Sequence, residues 1–427
     1  MDLILDEYCL LDIFSYLELI ELENLKLVSK EFYRMVHRII CTYTTKLDIS
    51  KDNVNSVPIA EKICSKFGRF VKILRVVTQA GQQENIKEIL AVIFRKCPNI
   101  RYFYFEEIPE TYSSFLSDLN EYVTTRHSNV HMIKSIALID CNLCDEDDQV
   151  LGWMESATGL EILDLSLNYD ITGKCLKFFR NLKGINLSLC SRLRRNYFID
   201  FCKNNKTLTS LEIEISSSNC ILNQKCINSI VENLQNLEHI SISCEDFPKS
   251  TRLSALADLP KLKNLELNFC NLLAIPLLDR LARINRLEEF KWIVNTTGPD
   301  WSLEKVELII SRISPTTIKF RGLKKYVFYS MSSLESVPFT DQHLQQATMN
   351  NLEEISIPNT SVTDEGIYQF ILRNSSLKTV DLTECQYITD EFAKKIIPHL
   401  QTEFKSLRIY ALYTNMTEEH RNILLRK

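Results

Sequence analysis

Glycine is scarce, at 9 of 427 residues, or about 2% where about 7% is usual. That argues against a hairpin-rich β architecture, whose tight turns need positive φ, and it leaves no glycine-rich loop to cradle a phosphate. No uninterrupted apolar run reaches the roughly 18–20 residues of a membrane span, so no membrane partner is expected. The net charge of −5 gives no basic footprint for nucleic acid. Seven histidines are dispersed, and neither a Gly-x-Ser-x-Gly elbow nor a His-Glu-x-x-His pair occurs. Catalysis by this chain, and a cofactor to serve it, are therefore not expected.

A cationic, apolar leader is not expected either, from the start Met1-Asp2 followed soon by Asp6 and Glu7. The 14 cysteines are expected as reduced thiols in the cytosol or nucleus. What the chain has in plenty is length and pattern. At 427 residues it exceeds the roughly 250–300 at which a single core stops growing, so several domains or a repeat array are expected.

The stretch Leu5 to Arg34 places Leu10, Ile13, Phe14 and Leu17, then Leu22, Leu25, Val28 and Phe32, at helical spacing, and Val36 and Ile39 extend the series. Two or three short helices in about 40 residues bury too little surface to offset their ordering entropy, which points to a partner. Leu5-Asp6, Ile13-Phe14-Ser15-Tyr16-Leu17, Glu21-Leu22, Val28-Ser29-Lys30 and Phe32 follow in order and spacing the pattern of the F-box, which this segment resembles. It departs from that pattern at Asp6, in place of proline, at Ser29, in place of cysteine, and at Phe32, in place of tryptophan. The resemblance implies a Skp-type adaptor as partner and, through it, a cullin scaffold with a RING ubiquitin ligase. It assigns the adaptor module to Leu5, Ile13, Phe14, Leu17, Leu22, Val28 and Phe32.

From Phe70 onward the chain repeats itself. Segments starting at Leu160, Leu182, Leu208, Leu237, Leu262, Leu287, Leu352 and Leu377 carry apolar residues at their first, fourth and sixth positions, and most starts lie 22 to 30 residues apart. Helical stretches follow, as at Cys175–Arg180, Lys225–Leu234 and Glu365–Arg373. The pattern is similar to the leucine-rich repeat, with Cys141, Cys190, Cys270 and Cys385 where that pattern takes Asn or Cys. The expected fold is an α/β repeat: a short N-terminal helical F-box, then a leucine-rich-repeat solenoid with a parallel concave sheet and convex helices. Residues 1–41 are read as the F-box, 42–69 as a junction with a short strand candidate at Lys46–Ile49, and 70–427 as the solenoid with a C-terminal capping helix near Thr417–Leu425. One strand and one helix cannot bury their apolar faces alone, whereas stacked pairs form one core.

Alternation along the strands assigns Asp164, Asn186, Glu212, Glu214, His239, Asn264, Glu266, Glu289, Lys291, Glu354 and Asp381 to the concave face. Ile293, Val327, Tyr329, Ile409 and Tyr413 add apolar surface to it toward the C-terminal end. The expected ligand is a protein with a basic stretch and an apolar anchor, held by Glu212, Glu214, Glu266, Lys291, Ile293, Val327, Tyr329 and Tyr413. Together these readings describe a non-catalytic substrate receptor of an SCF-type ubiquitin ligase; the alternative is a ligase-independent repeat scaffold. His127, His131, Cys141 and Cys144 are ligand types suited to zinc, but Cys141 already has a repeat role and no metal is expected. The run Asp145–Asp148 reads as the start of a helix. Arg192, Arg194, Arg195, Lys203 and Lys206 read as a solvated face. Trp292 and Trp301 mark either a functional loop or packing.

Overall fold

In a computed structural model the described residues are 7–17, 19–42, 45–49, 54, 56–78, 85–108, 115–126, 132–144, 157–214, 221–243, 248, 250–268, 274–295, 307–308, 310–311, 314, 320–331, 338–345, 347 and 349–425. They fall in two compact units, Met1–Leu208 and Thr209–Lys427.

The first unit opens with α1 (Glu7–Ser15), α2 (Leu19–Leu25) and α3 (Lys30–Thr42). The helical series read from the sequence is broken between α2 and α3. The Phe32 amide donates to Ser29 Oγ at 3.0 Å, so Ser29 caps a new helix. Next come β1 (Thr45–Asp48), α4 (Val57–Phe67), β2 (Val71–Val77), α5 (Ile86–Lys96), β3 (Tyr102–Glu106), α6 (Phe115–Arg126), β4 (Ser135–Ile139), β5 (Ile162–Asp164), β6 (Gly184–Asn186) and α7 (Arg195–Asn204). A 3-10 turn at Lys174–Phe178 replaces one helix. Strands β1 to β6 pair in parallel in chain order. Because β1 pairs with β2, the segment read as a junction supplies the first strand of the array.

The second unit holds β7 (Ser210–Ile213), α8 (Gln224–Asn233), β8 (His239–Ser243), β9 (Asn264–Asn268), α9 (Ile275–Ile284), β10 (Glu289–Asn295), β11 (Lys325–Met331), α10 (Asp341–Leu344), β12 (Glu354–Ser356), α11 (Asp364–Arg373), β13 (Thr379–Asp381), α12 (Asp390–Thr402), β14 (Arg408–Tyr410) and α13 (Glu418–Leu425). Its strands also pair in parallel and in chain order.

The core of both units is the leucine pattern. Leu160, Leu163 and Leu165, or Leu377, Val380 and Leu382, lie within 4% exposure in successive repeats. At about 25 cal/mol per Å2 of apolar surface, this periodic burial is the main force holding each repeat on its neighbour. Trp292 occupies the sixth position of its repeat and is fully buried in β10, which settles it as packing; Trp301 lies outside the described residues. Ile409 is buried as well, against the reading that put it on the open face. The β13–β14 register sets it opposite the core residue Val380, and Arg408 and Tyr410 take the outward positions instead.

Turns after the strands need positive φ, and with so little glycine the chain uses other residues. Asp140, Leu167, Leu189, Asn359, Glu384 and Tyr413 adopt φ between 48° and 64°, a conformation that costs L-residues roughly 1–2 kcal/mol each. The next residue anchors each turn. Asn168 donates to the carbonyls of Leu138 (2.6 Å) and Leu165 (2.9 Å) and accepts from the amides of Cys141 (3.0 Å) and Leu143 (3.1 Å). Cys190 Sγ donates to Leu165 O at 3.1 Å, and Cys385 Sγ to Ile357 O at 3.3 Å. Cys270 lies outside the described residues.

A second ladder runs along the helix starts of the second unit. Asp341 accepts from the Thr363 amide (2.8 Å) and hydroxyl (2.7 Å), and Asp364 accepts from the same groups of Thr389 (2.7 and 2.5 Å). Asp390 does likewise for Thr417 (2.8 and 3.1 Å). Each acidic residue sits in the first turn of one helix and fixes the residue that opens the next, satisfying end groups that a helix cannot pair internally.

Candidate functional site

The N-terminal helices divide their apolar residues between core and surface. Phe14 and Leu22 are buried, with Leu11, Leu19, Met35, Val36 and Ile39 around them. Phe14 meets Phe32 edge to face at 5.0 Å between ring centres. Leu17 and Phe32 are half-buried. Outside that core Ile13 (48%), Tyr16 (81%), Leu27 (84%), Val28 (64%) and Tyr33 (52%) stay exposed. Five large apolar side chains left exposed on so short a helical module are candidates for an interaction surface. Of the residues assigned from the sequence, Phe14 and Leu22 hold the helices together and Ile13 and Val28 face outward; Leu5 lies outside the described residues. The inward side of α1 is Leu11 and Phe14; of the series Leu10, Ile13, Phe14 and Leu17 read from the sequence only Phe14 is fully buried, because α1 packs against α3. Tyr16, Leu27 and Tyr33 were not assigned; their signal is that they are apolar yet fall beside the helical core positions.

The module is clasped to the array. Glu23 forms an ion pair with Lys66 of α4 and another with Lys26 at 3.4 Å. Lys26 Nζ also stands 4.4 Å from the ring centre of Phe67, a cation–π contact. The carboxyl of Glu23 titrates below its usual range, because the two lysines outweigh the effect of its partial burial.

On the open strand face of the second unit, the β7–β11 register lines up Glu212, Ser241, Glu266, Lys291 and Val327 in one row. The next row outward holds Ser243, Asn268, Ile293 and Tyr329, with Glu214 one position past Ile213, the partner of Ile242. Five assigned ligand residues, Glu212, Glu214, Glu266, Lys291 and Val327, are therefore neighbours in one lattice, and the β9–β11 registers extend it to Ile293 and Tyr329. Tyr413 is apart from them. It follows β14 in a turn at φ 55° and is 71% exposed, beside Tyr410 and Leu412 rather than the β7–β11 group.

The acidic character of this face is partly offset. Glu266 pairs with Lys291 at 2.5 Å, and Lys325 pairs with Glu354 at 2.8 Å. His239 Nε2 lies 4.0 Å from Glu212; desolvation lowers its pKa, more than nearby Glu266 and Glu289 raise it. Glu214 is pushed the other way. Burial raises its carboxyl and Glu266 adds to the effect, although the Ser241 hydroxyl donates to it at 2.6 Å.

The remaining motifs resolve individually. Burial pushes the thiols of Cys141 and Cys190 up to about 12, as expected of cysteines that act as packing groups and weak donors. His127, His131 and Asp145–Asp148 lie outside the described residues; among the described residues no group of three His, Cys, Asp or Glu side chains could hold a metal. In the basic cluster Arg192 pairs with Asp170 at 3.2 Å and Lys203 with Asp200 at 2.9 Å.

Residues 3–42 match the family model of the F-box domain. Among solved structures, a chain of the Rad7 and Elc1 complex in yeast is similar over 94% of this chain and 90% of its own length, at 15% identity and a TM-score of 0.49. The leucine-rich repeat-containing protein LegL7 from Legionella pneumophila is similar over 68% of this chain and 91% of its own, at 12% identity and a TM-score of 0.38. The three N-terminal helices are an F-box domain, and the parallel strands and helices that follow form a leucine-rich-repeat array.

Proposed function

We propose that this chain is the substrate receptor of an SCF-type cullin-RING ubiquitin ligase, working in the cytosol or nucleus. The F-box docks on a Skp-type adaptor, and through it on the cullin; the repeats hold a protein substrate. The observation that carries the reading is the uncovered apolar group Ile13, Tyr16, Leu27, Val28 and Tyr33 on helices that match the F-box model. A short module whose own core is already closed by Phe14 and Leu22 has this surface left to offer a partner.

No residue of this chain does covalent chemistry in such a mechanism. The receptor raises the effective concentration of substrate lysines at a thioester held by another subunit. The Glu23–Lys66 clasp then matters, since it ties the adaptor site to the first helix of the array. The test is co-purification of the full chain with a Skp-type adaptor and a cullin, each quantified. Recovery of both supports the receptor. Recovery of the adaptor without the cullin, or of neither, would instead favour a ligase-independent repeat scaffold.

A further inference from the structure

We propose that the open face of β7–β11 docks an arginine of an extended protein segment, with an apolar residue of the same segment seated on Ile293 and Tyr329. The inference rests on the reading of the repeats as the holder of a protein partner, and it specifies what that partner must carry.

Two independent features of the lattice point to a cationic donor. The first is charge: Glu212 and Glu266 flank Ser241 in register on neighbouring strands, Glu214 one row outward accepts from the Ser241 hydroxyl, and Lys291 pairs with Glu266. The second is hydrogen-bonding capacity. Among the described residues Asn268 Oδ1 and Ser243 Oγ find no hydrogen-bond donor, although the two residues are only 2% and 3% exposed. Asn268 reaches Glu214 with the same side chain, so the open acceptor belongs to the carboxylate cluster. A buried acceptor without a donor is unfavourable, and a donor arriving beside Glu214 relieves it. The raised pKa of Glu214 fits the same picture, because a cation alongside it favours its charged form.

Arginine suits these acceptors better than lysine. Its planar guanidinium presents five donors in a fixed fork and is weakly hydrated, whereas an ammonium offers three donors from one point. The register then sets the spacing of the partner. Asn268 pairs with Ile293 and Ile293 with Tyr329, which is 41% exposed. From the Ser243–Asn268 pair to the Ile293–Tyr329 pair is two strand spacings, about 10 Å. An extended chain covers that distance in about three residues. The partner therefore carries arginine and an apolar residue three positions apart.

The test uses the full chain and two fluorescein-labelled hexapeptides, Gly-Arg-Ser-Ser-Leu-Gly and its reversed order Gly-Leu-Ser-Ser-Arg-Gly, in fluorescence anisotropy at low salt. One of the two is expected to bind saturably. Replacing its arginine by alanine is expected to weaken binding at least about tenfold, and by lysine about threefold or more. Glu214→Gln in the protein is expected to weaken the arginine peptide about tenfold and to leave the alanine peptide unchanged. Absence of saturable binding by both peptides, equal binding of lysine and arginine, or indifference to Glu214→Gln would each overturn the assignment. Adaptor co-purification measured on the same Glu214→Gln protein keeps the outcomes separate: adaptor retained with no peptide bound refutes the arginine site alone.

Discussion

Leu27→Glu is the sharpest probe of the F-box surface, because the side chain is 84% exposed and leaves the module's own core untouched. Fully burying a leucine is worth about 1.5–3 kcal/mol, so an adaptor that covers Leu27 gains about 2 kcal/mol there. A glutamate in its place forfeits that gain and brings a carboxylate into an apolar contact, at a further cost of a few kcal/mol. The sum exceeds about 3 kcal/mol, which is more than a hundredfold in affinity. The assay is titration of purified full chain, wild type and variant, with a Skp-type adaptor, with circular dichroism to confirm equal helix content. A variant that keeps its fold and binds within tenfold of wild type would refute the assignment of the docking surface to this patch.

Asp364→Ala removes the acceptor of both Thr389 donors and is expected to lower stability by about 2 kcal/mol, in the range for hydrogen bonds to a charged group; urea unfolding checks it, and no change would mean that the helix-start ladder is decorative. Acid is expected to loosen both units. Lys134 and Lys183 hold the Glu161 carboxyl down to about 2 from 4.5, and Lys324 lowers Glu288. A carboxyl depressed by folding stabilises above its unfolded pKa, and the contribution is lost as pH falls through the folded value. The melting temperature should therefore drop between pH 4.5 and about 2, and less steeply in high salt. Alkylation of the native chain at pH 8 should modify the exposed Cys9 and spare Cys141 and Cys190, with mass spectrometry as the readout. Fast labelling of Cys190 would contradict its place in the core.

The repeats were legible because the leucine rule is local and recurs. Leu160, Leu163 and Leu165 announce a buried strand within six residues, and the same rule covers Trp292 once it is allowed an aromatic at the sixth position. Where the last repeat shifts its spacing, at Leu407 and Ile409, the outward and inward residues exchange and the sequence reading slips by one. The F-box was legible as a pattern but not as a surface. Whether Leu27 or Phe14 is covered depends on how three short helices meet, and both are simply apolar in the sequence. The Thr-Asp pairs at Thr340-Asp341, Thr363-Asp364 and Thr389-Asp390 are visible in the chain, yet their purpose is not, since each aspartate finds its threonine more than 20 residues away. Ser243 and Asn268 gave no sign of being special, because an empty acceptor is a property of packing.

The clasp between Glu23, Lys26, Lys66 and Phe67 gives the F-box a second role. Helices that small are marginal alone, and α4, the helix they lean on, is also the first of the array. Whatever binds the native F-box favours, by mass action, the folded state of everything joined to it. If the F-box binds the proposed adaptor, the bound chain holds its first repeats more firmly than the free one. Local opening there, read by amide exchange in α4, then reports whether a partner occupies the F-box.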